Sequence, residues 1–462
     1  MTRSRGEALA GIDQQRWQLV DGHASVGDVW RFRPIVVLRI GILLMLVAQL
    51  GRIPVLSTGT SEAPLLVNDL CVMAMLAAGL LSGLVSRSFR LDRVGGMALV
   101  FASLGAISAI LAIPRFGLTG FELLVSLAYL ARWVVYLGIY LVVINVVRSE
   151  DVMSLWHTLE QMILIFAAFG IIQSLFIPHF AQVIYPESRV FVDWDEQGHR
   201  LVSTVLEPNI AGAMIMIVLL IQFAQMAGGE RVALWKPLLL FSALLATLSR
   251  SSFLGLMVGG VLILAVRGVS RRMLQLAGIV LLAVVAALPR IVSYAENYAK
   301  LSVDASALTR VTNWLRALRI FSDSPVIGVG FNTYGYVQEL YGFTRAGLST
   351  NSTDGGLLFI AVMTGVVGLS LYLAMLTMVV RRCRRVWRDA ASPPEFRALA
   401  TGIAAATIAV CVHSLFVNSL LTPFVMEPLW ILWGLASVLA WTIVPPVVHR
   451  ATTSLVPIRR VS

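Results

Sequence analysis

The sequence predicts an all-α integral membrane protein of about twelve transmembrane helices, and three observations carry that prediction. Apolar residues make up 58% of the 462 positions, and the mean hydropathy is +0.83. Charged residues make up 13%, against roughly 25% in a soluble domain, which is too few to coat a water-facing surface of this size. Apolar runs of about membrane-spanning length recur along the chain, and the basic residues collect in alternate connections between them.

A bilayer core of about 30 Å takes roughly twenty apolar residues in helical form. The runs are 34–51, 65–86, 95–114, 121–147, 159–177, 206–226, 234–248, 251–266, 273–292, 356–380, 398–421 and 428–444. The seventh and eighth are short, are separated only by Ser249 and Arg250, and read as a tight helical hairpin. The polar stretch 1–33 lacks the short charged region and cleavage site of a signal peptide and is expected to be a cytoplasmic tail, as is 445–462. The remaining divisions are spans one to nine over 34–292, with an outward connection at about 178–205; a long outward connection over 293–355; and spans ten to twelve over 356–444.

Orientation follows from arginine and lysine. Alternate connections carry Arg87, Arg90 and Arg93; Arg148; Arg231 and Lys236; Arg267, Arg271 and Arg272; and a cluster from Arg381 to Arg397. With twelve spans all of these share a face with both tails, which is expected to be cytoplasmic in a bacterial inner membrane. The formal charge of +11 would suggest nucleic acid in a soluble protein, but topology accounts for it, so no nucleic-acid partner is expected. Cys71, Cys383 and Cys411 have no evident partners, and neither a disulfide framework nor a metal cluster is expected. Trp430, Trp433 and Trp441 are placed to anchor the last span at the headgroups. No internal repeat is visible, which weakens a transporter or flippase built from two similar halves.

The polar chemistry falls on the outward side. The first long connection holds Arg189, Asp193, Trp194, Asp195, Glu196, His199 and Arg200, and ends in Glu207-Pro208-Asn209, where Pro208 suits a helix start. The second contains an amphipathic segment, 305–322, in which Leu308, Val311, Leu315 and Leu318 share one side and Arg310 and Trp314 stand four apart at its edge. Arg316 is expected to point toward water. A plainer account makes this segment an interfacial helix with snorkelling arginines. A Pro- and Gly-containing turn follows at 324–331. Arg250 stands at the outward tip of the hairpin, against the usual bias. Asp354 precedes Gly355 and Gly356 where the chain returns to the membrane, and an N-cap role would explain it equally. Within the spans lie Arg39, Asp69 and Arg132, and charges there face a bundle interior or a cavity, an Arg132–acid pair being the structural alternative. His413 lies toward the outward end of the eleventh run, where a lone histidine is more often packed than catalytic.

Four stretches in order are similar to the shared C-terminal region of bacterial O-antigen ligases and O-antigen or exopolysaccharide polymerases. They are Ser203-Thr204-Val205-Leu206-Glu207-Pro208-Asn209; Leu248-Ser249-Arg250-Ser251-Ser252; Arg310-x-x-x-Trp314 with Ala317-Leu318 and Pro325-x-x-Gly328-x-Gly330; and Gly365-Val366-Val367-Gly368. Together they cover roughly 190–378, and the third is the most specific. The sequence departs from the family at one point: the ligases carry His-Asn where Asp354-Gly355 stands here, which favours a polymerase-type member and puts any mechanism relying on that histidine in doubt.

The resemblance implies a GT-C-like lipid-linked glycan transferase without cofactor or metal. Its substrate is implied to be an oligosaccharide on undecaprenyl pyrophosphate at the periplasmic leaflet, with membrane lipid, a chain-length regulator and a flippase as further partners. A metal-dependent transferase using Asp193 and Asp195 is a weaker alternative. Guanidinium groups suit a departing pyrophosphate because their planar fork makes paired, charge-assisted hydrogen bonds, which singles out Arg250 and Arg310, then Arg200 and Arg132. Asp354 is the candidate base, with Glu207 as runner-up. Asn209, Trp314 and His413 complete the expected substrate-binding set.

Overall fold

The computed structural model describes residues 34–57, 62–86, 89–186, 199–279, 305–343 and 352–443. Both tails and the Asp193–Glu196 cluster lie outside the described residues. Helix α1 (Pro34–Leu44) continues into a 3-10 turn, Met45–Val47. A two-stranded antiparallel hairpin follows, β1 (Arg52–Ser57) and β2 (Glu62–Leu66), which the hydropathy pattern does not predict. Helices α2 (Val67–Ser86), α3 (Arg93–Phe116), α4 (Gly120–Val146) and α5 (Val152–Phe176) come next, then the single turn α6 (Phe180–Ile184). Helices α7 (Pro208–Ala227), α8 (Trp235–Thr247) and α9 (Arg250–Arg267) are followed by α10, described over 271–279. The last elements are α11 (Ala305–Asp323), α12 (Tyr334–Leu340), α13 (Gly356–Arg388), α14 (Pro394–His413) and α15 (Pro423–Ile443).

Local chemistry sets several of these boundaries. Asp92 caps α3 by accepting from the Gly95 N–H at 2.9 Å, and Gly117 ends the helix in the left-handed region. Thr119 and Glu122 form a capping box at α4. The fifth predicted run begins late: α5 already starts at Val152, and Glu160, which interrupts the apolar pattern, is buried within it against Lys236 Nζ at 2.7 Å and Gln222 Nε2 at 2.8 Å. The eleventh run ends early. Helix α14 stops at His413, and the polar residues Ser414, Asn418, Ser419 and Thr422 turn the chain back before α15.

Among the described residues, eight helices are long and apolar enough to cross a membrane: α3, α4, α5, α7, α9, α13, α14 and α15. Shorter apolar helices occupy the first, second and seventh predicted runs, and the ninth run is described only to residue 279. Helix α7 is apolar all round and sheathed all round, residues 215–221 being fully buried. Helix α15 is its counterpart. Trp430 and Trp433 are 0% exposed, so they do not anchor a headgroup belt as the sequence suggests; Trp430 meets Trp133 and Trp433 edge-on and Tyr140 at a tilt across the α4–α15 contact.

The connections rich in arginine gather at one end of the bundle. There Arg382 Nη1 donates to Asp92 Oδ2 at 2.5 Å, Tyr140 Oη at 2.9 Å and Ser437 Oγ at 2.5 Å, tying α13 to α3, α4 and α15. At the opposite end α11 lies with Ala317 and Ile320 buried, while Leu308, Val311, Leu315 and Leu318 are turned away from the protein and exposed. That apolar face is outward, as an interfacial helix presents to lipid. Arg316 does not reach simply into water: its guanidinium sits 5.5 Å from the Phe343 ring centroid.

The turn after α11 is wedged into a break in α13. Gly365 has φ 68° and ψ −173°, which interrupts the helix. The peptide groups freed there bond to the turn: Val366 N to Pro325 O at 2.8 Å, Val329 N to Val362 O at 2.9 Å and Gly330 N to Met363 O at 3.0 Å. Inside a membrane protein such groups need internal partners. A Cβ at Gly365 would lie 2.0 Å from Val326 O, and one at Gly328 2.4 Å from Val362 O. Arg115, at the end of α3, clamps the same turn through Gly328 O at 2.9 Å and Ser324 Oγ at 2.8 Å.

Candidate active site

The end of the bundle opposite the arginine-rich connections is built from helix starts. Helix α7 begins at Pro208, with Glu207 as its cap: the carboxylate accepts from Asn209 N at 3.1 Å, Asn209 Nδ2 at 2.8 Å and Ile210 N at 2.5 Å. Helix α9 begins at Arg250, capped by Ser249, whose Oγ accepts from Ser252 N. The two starts touch, since a Cβ at Gly212 would lie 2.5 Å from Ser252 Oγ and 3.1 Å from Ser249 Cβ. Helix α13 starts at the same end. Helix N-termini present unpaired N–H groups and positive dipole ends, which favour anions nearby.

Arg250 and Arg310, from α9 and α11, line one cavity of about 290 Å³ with Ser251, Leu254, Val311, Trp314 and Phe416. Both charged residues of that lining are arginines. Trp314 stands four residues after Arg310 on α11, and its ring lies 5.9 Å from that of Phe416, in the turn after α14. Arg310 also acts electrostatically on His413, whose ring lies near the Asn209 backbone. His413 is buried; its Nδ1 and Ser419 Oγ are 2.5 Å apart, and its Nε2 has no hydrogen-bond partner among the described residues.

Asp354 stands beside this cavity. It is not the N-cap of α13: Gly355 is, with φ 94° and no side-chain cap. A Cβ at Gly355 would lie 2.7 Å from Leu415 O, so the chain passes tightly under the α14–α15 turn. The Asp354 carboxylate instead accepts from Asn313 Nδ2 at 2.8 Å, and Thr353 Oγ1 donates to Asn313 O at 3.3 Å. Asn313 thus fastens Asp354 to the helix that carries Arg310 and Trp314. Tyr334, on α12, has its pKa pushed up to about 12 by burial, with the Asp354 carboxylate adding to the rise against Arg316. It stays a neutral phenol at physiological pH.

The remaining expected residues separate. Arg200 donates through Nε to Thr247 O at 3.0 Å and acts electrostatically on Glu207, so it braces the end of α8 against the start of α7. Burial pushes the Glu207 pKa above its ordinary value of 4.5, opposed by the bonds from Ile210 and Asn209 and by Arg200. Arg132 is not in the Arg250–Arg310 cavity. Its Nη2 is 2.9 Å from Asp69 Oδ2 and also donates to the Pro64 carbonyl. It lines a second cavity, of about 240 Å³, with Tyr129, Trp133, Phe331, Asn332, Phe359 and Asn418 among its other walls. Sequence reasoning missed that cavity and Asn313. It also passed over Arg115, whose place in an outward connection against the usual basic bias was a usable signal, the same one that marked Arg250.

These features define a polytopic α-helical membrane protein with an arginine-lined cavity at one end of its bundle. Residues 237–373 match the family model described as O-antigen ligase, and this segment carries the resemblance to the O-antigen ligase and polymerase type. It runs from α8 to the first half of α13, taking in Arg250, Arg310, Trp314, Asp354 and the Gly365 break; Arg132, Arg200, Glu207, Asn209 and His413 fall outside it. The match supports glycan transfer of that type, with a lipid-linked glycan as the substrate the family implies. No curated protein matches the chain.

Proposed function

We propose that this protein polymerises undecaprenyl-pyrophosphate-linked oligosaccharide repeats on the periplasmic face of a bacterial inner membrane, with both termini cytoplasmic. The observation that carries the reading is the shared cavity of Arg250 and Arg310, from two different helices, next to an Asp354 that Asn313 holds in place. In the reaction the bond between the donor sugar C1 and the phosphate oxygen breaks. A hydroxyl oxygen of the acceptor forms the new bond to C1, and its proton passes to Asp354. The lipid pyrophosphate leaves with the bonding electrons, and the two guanidiniums neutralise the charge that develops on it. They supply this without a metal. Holding donor and acceptor in line is the remaining contribution of the site.

Ligation of finished glycan to another acceptor is the second reading, favoured by the description of the matching family. Asp354-Gly355 in place of the ligases' His-Asn favours polymerisation. Deletion, followed by electrophoresis of the surface polysaccharide and complementation with Arg310→Ala, tests both. Single repeats that Arg310→Ala fails to extend support the polymerase; long unattached chains mean a ligase; a normal ladder in the deletion strain overturns both.

A further inference from the structure

We propose that the second cavity, beside Arg132, is a glycan subsite that takes a neutral sugar of the acceptor; this rests on the transferase reading above. Its charge excludes the pyrophosphate role. Arg132 is the one charged residue in the described lining, and Asp69 neutralises it at 2.9 Å. Behind that pair lies Glu427, 1% exposed and bonded by Asn68, so a carboxyl group, not a further cation, backs the wall. The lining is instead aromatic and amide-rich. Tyr129, Trp133, Phe331 and Phe359 offer ring faces and edges for the C–H surfaces of a sugar, while Asn332 and Asn418 offer amide donors and acceptors for its hydroxyls.

Two residues of this lining carry buried polar atoms without a hydrogen-bond partner among the described residues. Trp133, 4% exposed, has an indole N–H without a partner among the described residues, and Asn418 Oδ1 is likewise unpartnered. A donor and an acceptor left over in the walls of one cavity cost free energy, which a polar ligand that these side chains turn to meet would offset. The volume, about 240 Å³, is near the roughly 300 Å³ lower bound of small-molecule sites, which suits a single sugar ring.

Position completes the case. Ser352, in the lining of this cavity, is two residues before Asp354, and a Cβ at Gly356 would lie 3.2 Å from Asn418 Oδ1. Phe416, in the same turn as Asn418, lines the arginine cavity. The two cavities therefore flank the wall that carries Asp354. An acceptor seated in one presents its hydroxyl toward a donor whose pyrophosphate occupies the other.

The test uses the full chain purified in detergent and two probes: inorganic pyrophosphate, and the neutral oligosaccharide released by mild acid from the host's own surface polysaccharide. Asn332→Gly removes the amide and keeps the φ of 52°; Tyr129→Ala removes a ring that Tyr129→Phe retains. Asn332→Gly and Tyr129→Ala should each weaken oligosaccharide binding by about tenfold or more, leave pyrophosphate affinity within about twofold, and be matched by recovery in Tyr129→Phe. Retained pyrophosphate binding certifies that each variant is folded, and the tyrosine pair carries the test if Asn332→Gly is not. Oligosaccharide binding that is absent, or unmoved by these variants, overturns the subsite while the transferase reading stands. Pyrophosphate binding that is absent, or indifferent to Arg250→Ala, sinks the transferase reading itself.

Discussion

Two cavities open at the same end of this bundle, both with arginine in their walls, and they are chemically opposite. One holds Arg250 and Arg310 with no carboxylate among the described residues of its lining. The other holds Arg132, whose charge Asp69 cancels at 2.9 Å, among rings and amides. Counting arginines in the sequence equates them. What separates them is the charge each lining gathers: a cation paired with a carboxylate attracts a second anion poorly, whereas a lining that brings two guanidiniums from separate helices together favours an anion between them.

The sharpest way to break this contrast is at the arginines. Arg310→Ala and Arg250→Ala should each reduce polymer formation by about 100-fold or more, the size of effect that removing a preorganised charge from a reacting centre produces. Arg310→Lys should recover only part of it, because a single ammonium lacks the paired donors. Assays in membranes with chain length read on gels check this; equal losses from Arg132→Lys would erase the distinction between the cavities. Next comes the wall between them. Asp354→Asn should cost about 10²–10⁴ in rate if the carboxylate takes the proton, with pyrophosphate binding retained. Asn313→Ala, which releases Asp354 from its 2.8 Å bond, should cost less than Asp354→Asn. A mild effect of Asp354→Asn would make it a structural residue.

A smaller effect, shared by both cavities, is expected at the wedge. Gly365→Ala puts a Cβ 2.0 Å from Val326 O at a positive φ; the φ alone costs about 1–3 kcal/mol, and the overlap with backbone forces the turn to shift. The wedge carries Phe331 and Asn332 of one cavity and follows the helix of Arg310 in the other, so both probes should bind more weakly together and the thermal midpoint should drop. Loss at one cavity alone would mean the wedge serves only that one.

The span pattern was readable because a membrane leaves hydropathy and arginine placement as strong, local signals. The i, i+4 spacing of Arg310 and Trp314 and the tip position of Arg250 were local too. What was not legible needed contacts between distant segments. The aromatic cavity is assembled from α4, the turn at Phe331, the segment at Ser352, α13 and the turn at Asn418, and the residues that line it lie outside the motifs. Gly365 looked like a helix glycine until the turn at 325–330 was seen to satisfy the peptide groups it frees. Trp430 and Trp433 read as headgroup anchors because a sequence shows where an aromatic lies along a helix but not which helix covers it. The apolar side of α11 was visible in the pattern, and its direction, away from the protein, is the one the interfacial-helix account expects.

The smallest effect should come from Glu207, and it sharpens the contrast through pH. Burial holds its pKa above 4.5 in the fold. A carboxyl raised in this way contributes stability that is fully present below its unfolded pKa and is lost as the pH rises through the folded value. In that window above 4.5, wild type should lose thermal stability relative to Glu207→Gln, which has no proton to release; parallel curves for the two proteins would assign the pH dependence elsewhere. Glu207→Ala should cost about 1 kcal/mol below that window, since it removes the cap of α7, and less above it, where wild type has lost part of its own stability. The charge consequence reaches the arginine cavity, because the start of α7 touches the hairpin tip that carries Arg250. Protonated Glu207 no longer offsets Arg200 and its neighbours, so wild type should bind pyrophosphate more tightly at the low end of this window, while Glu207→Gln should show a flatter profile. The oligosaccharide affinity of the aromatic cavity, whose arginine is already neutralised by Asp69, should show no such difference between the two proteins. If it follows the same curve, the cavities are electrostatically one site and the separation argued from Arg132 fails.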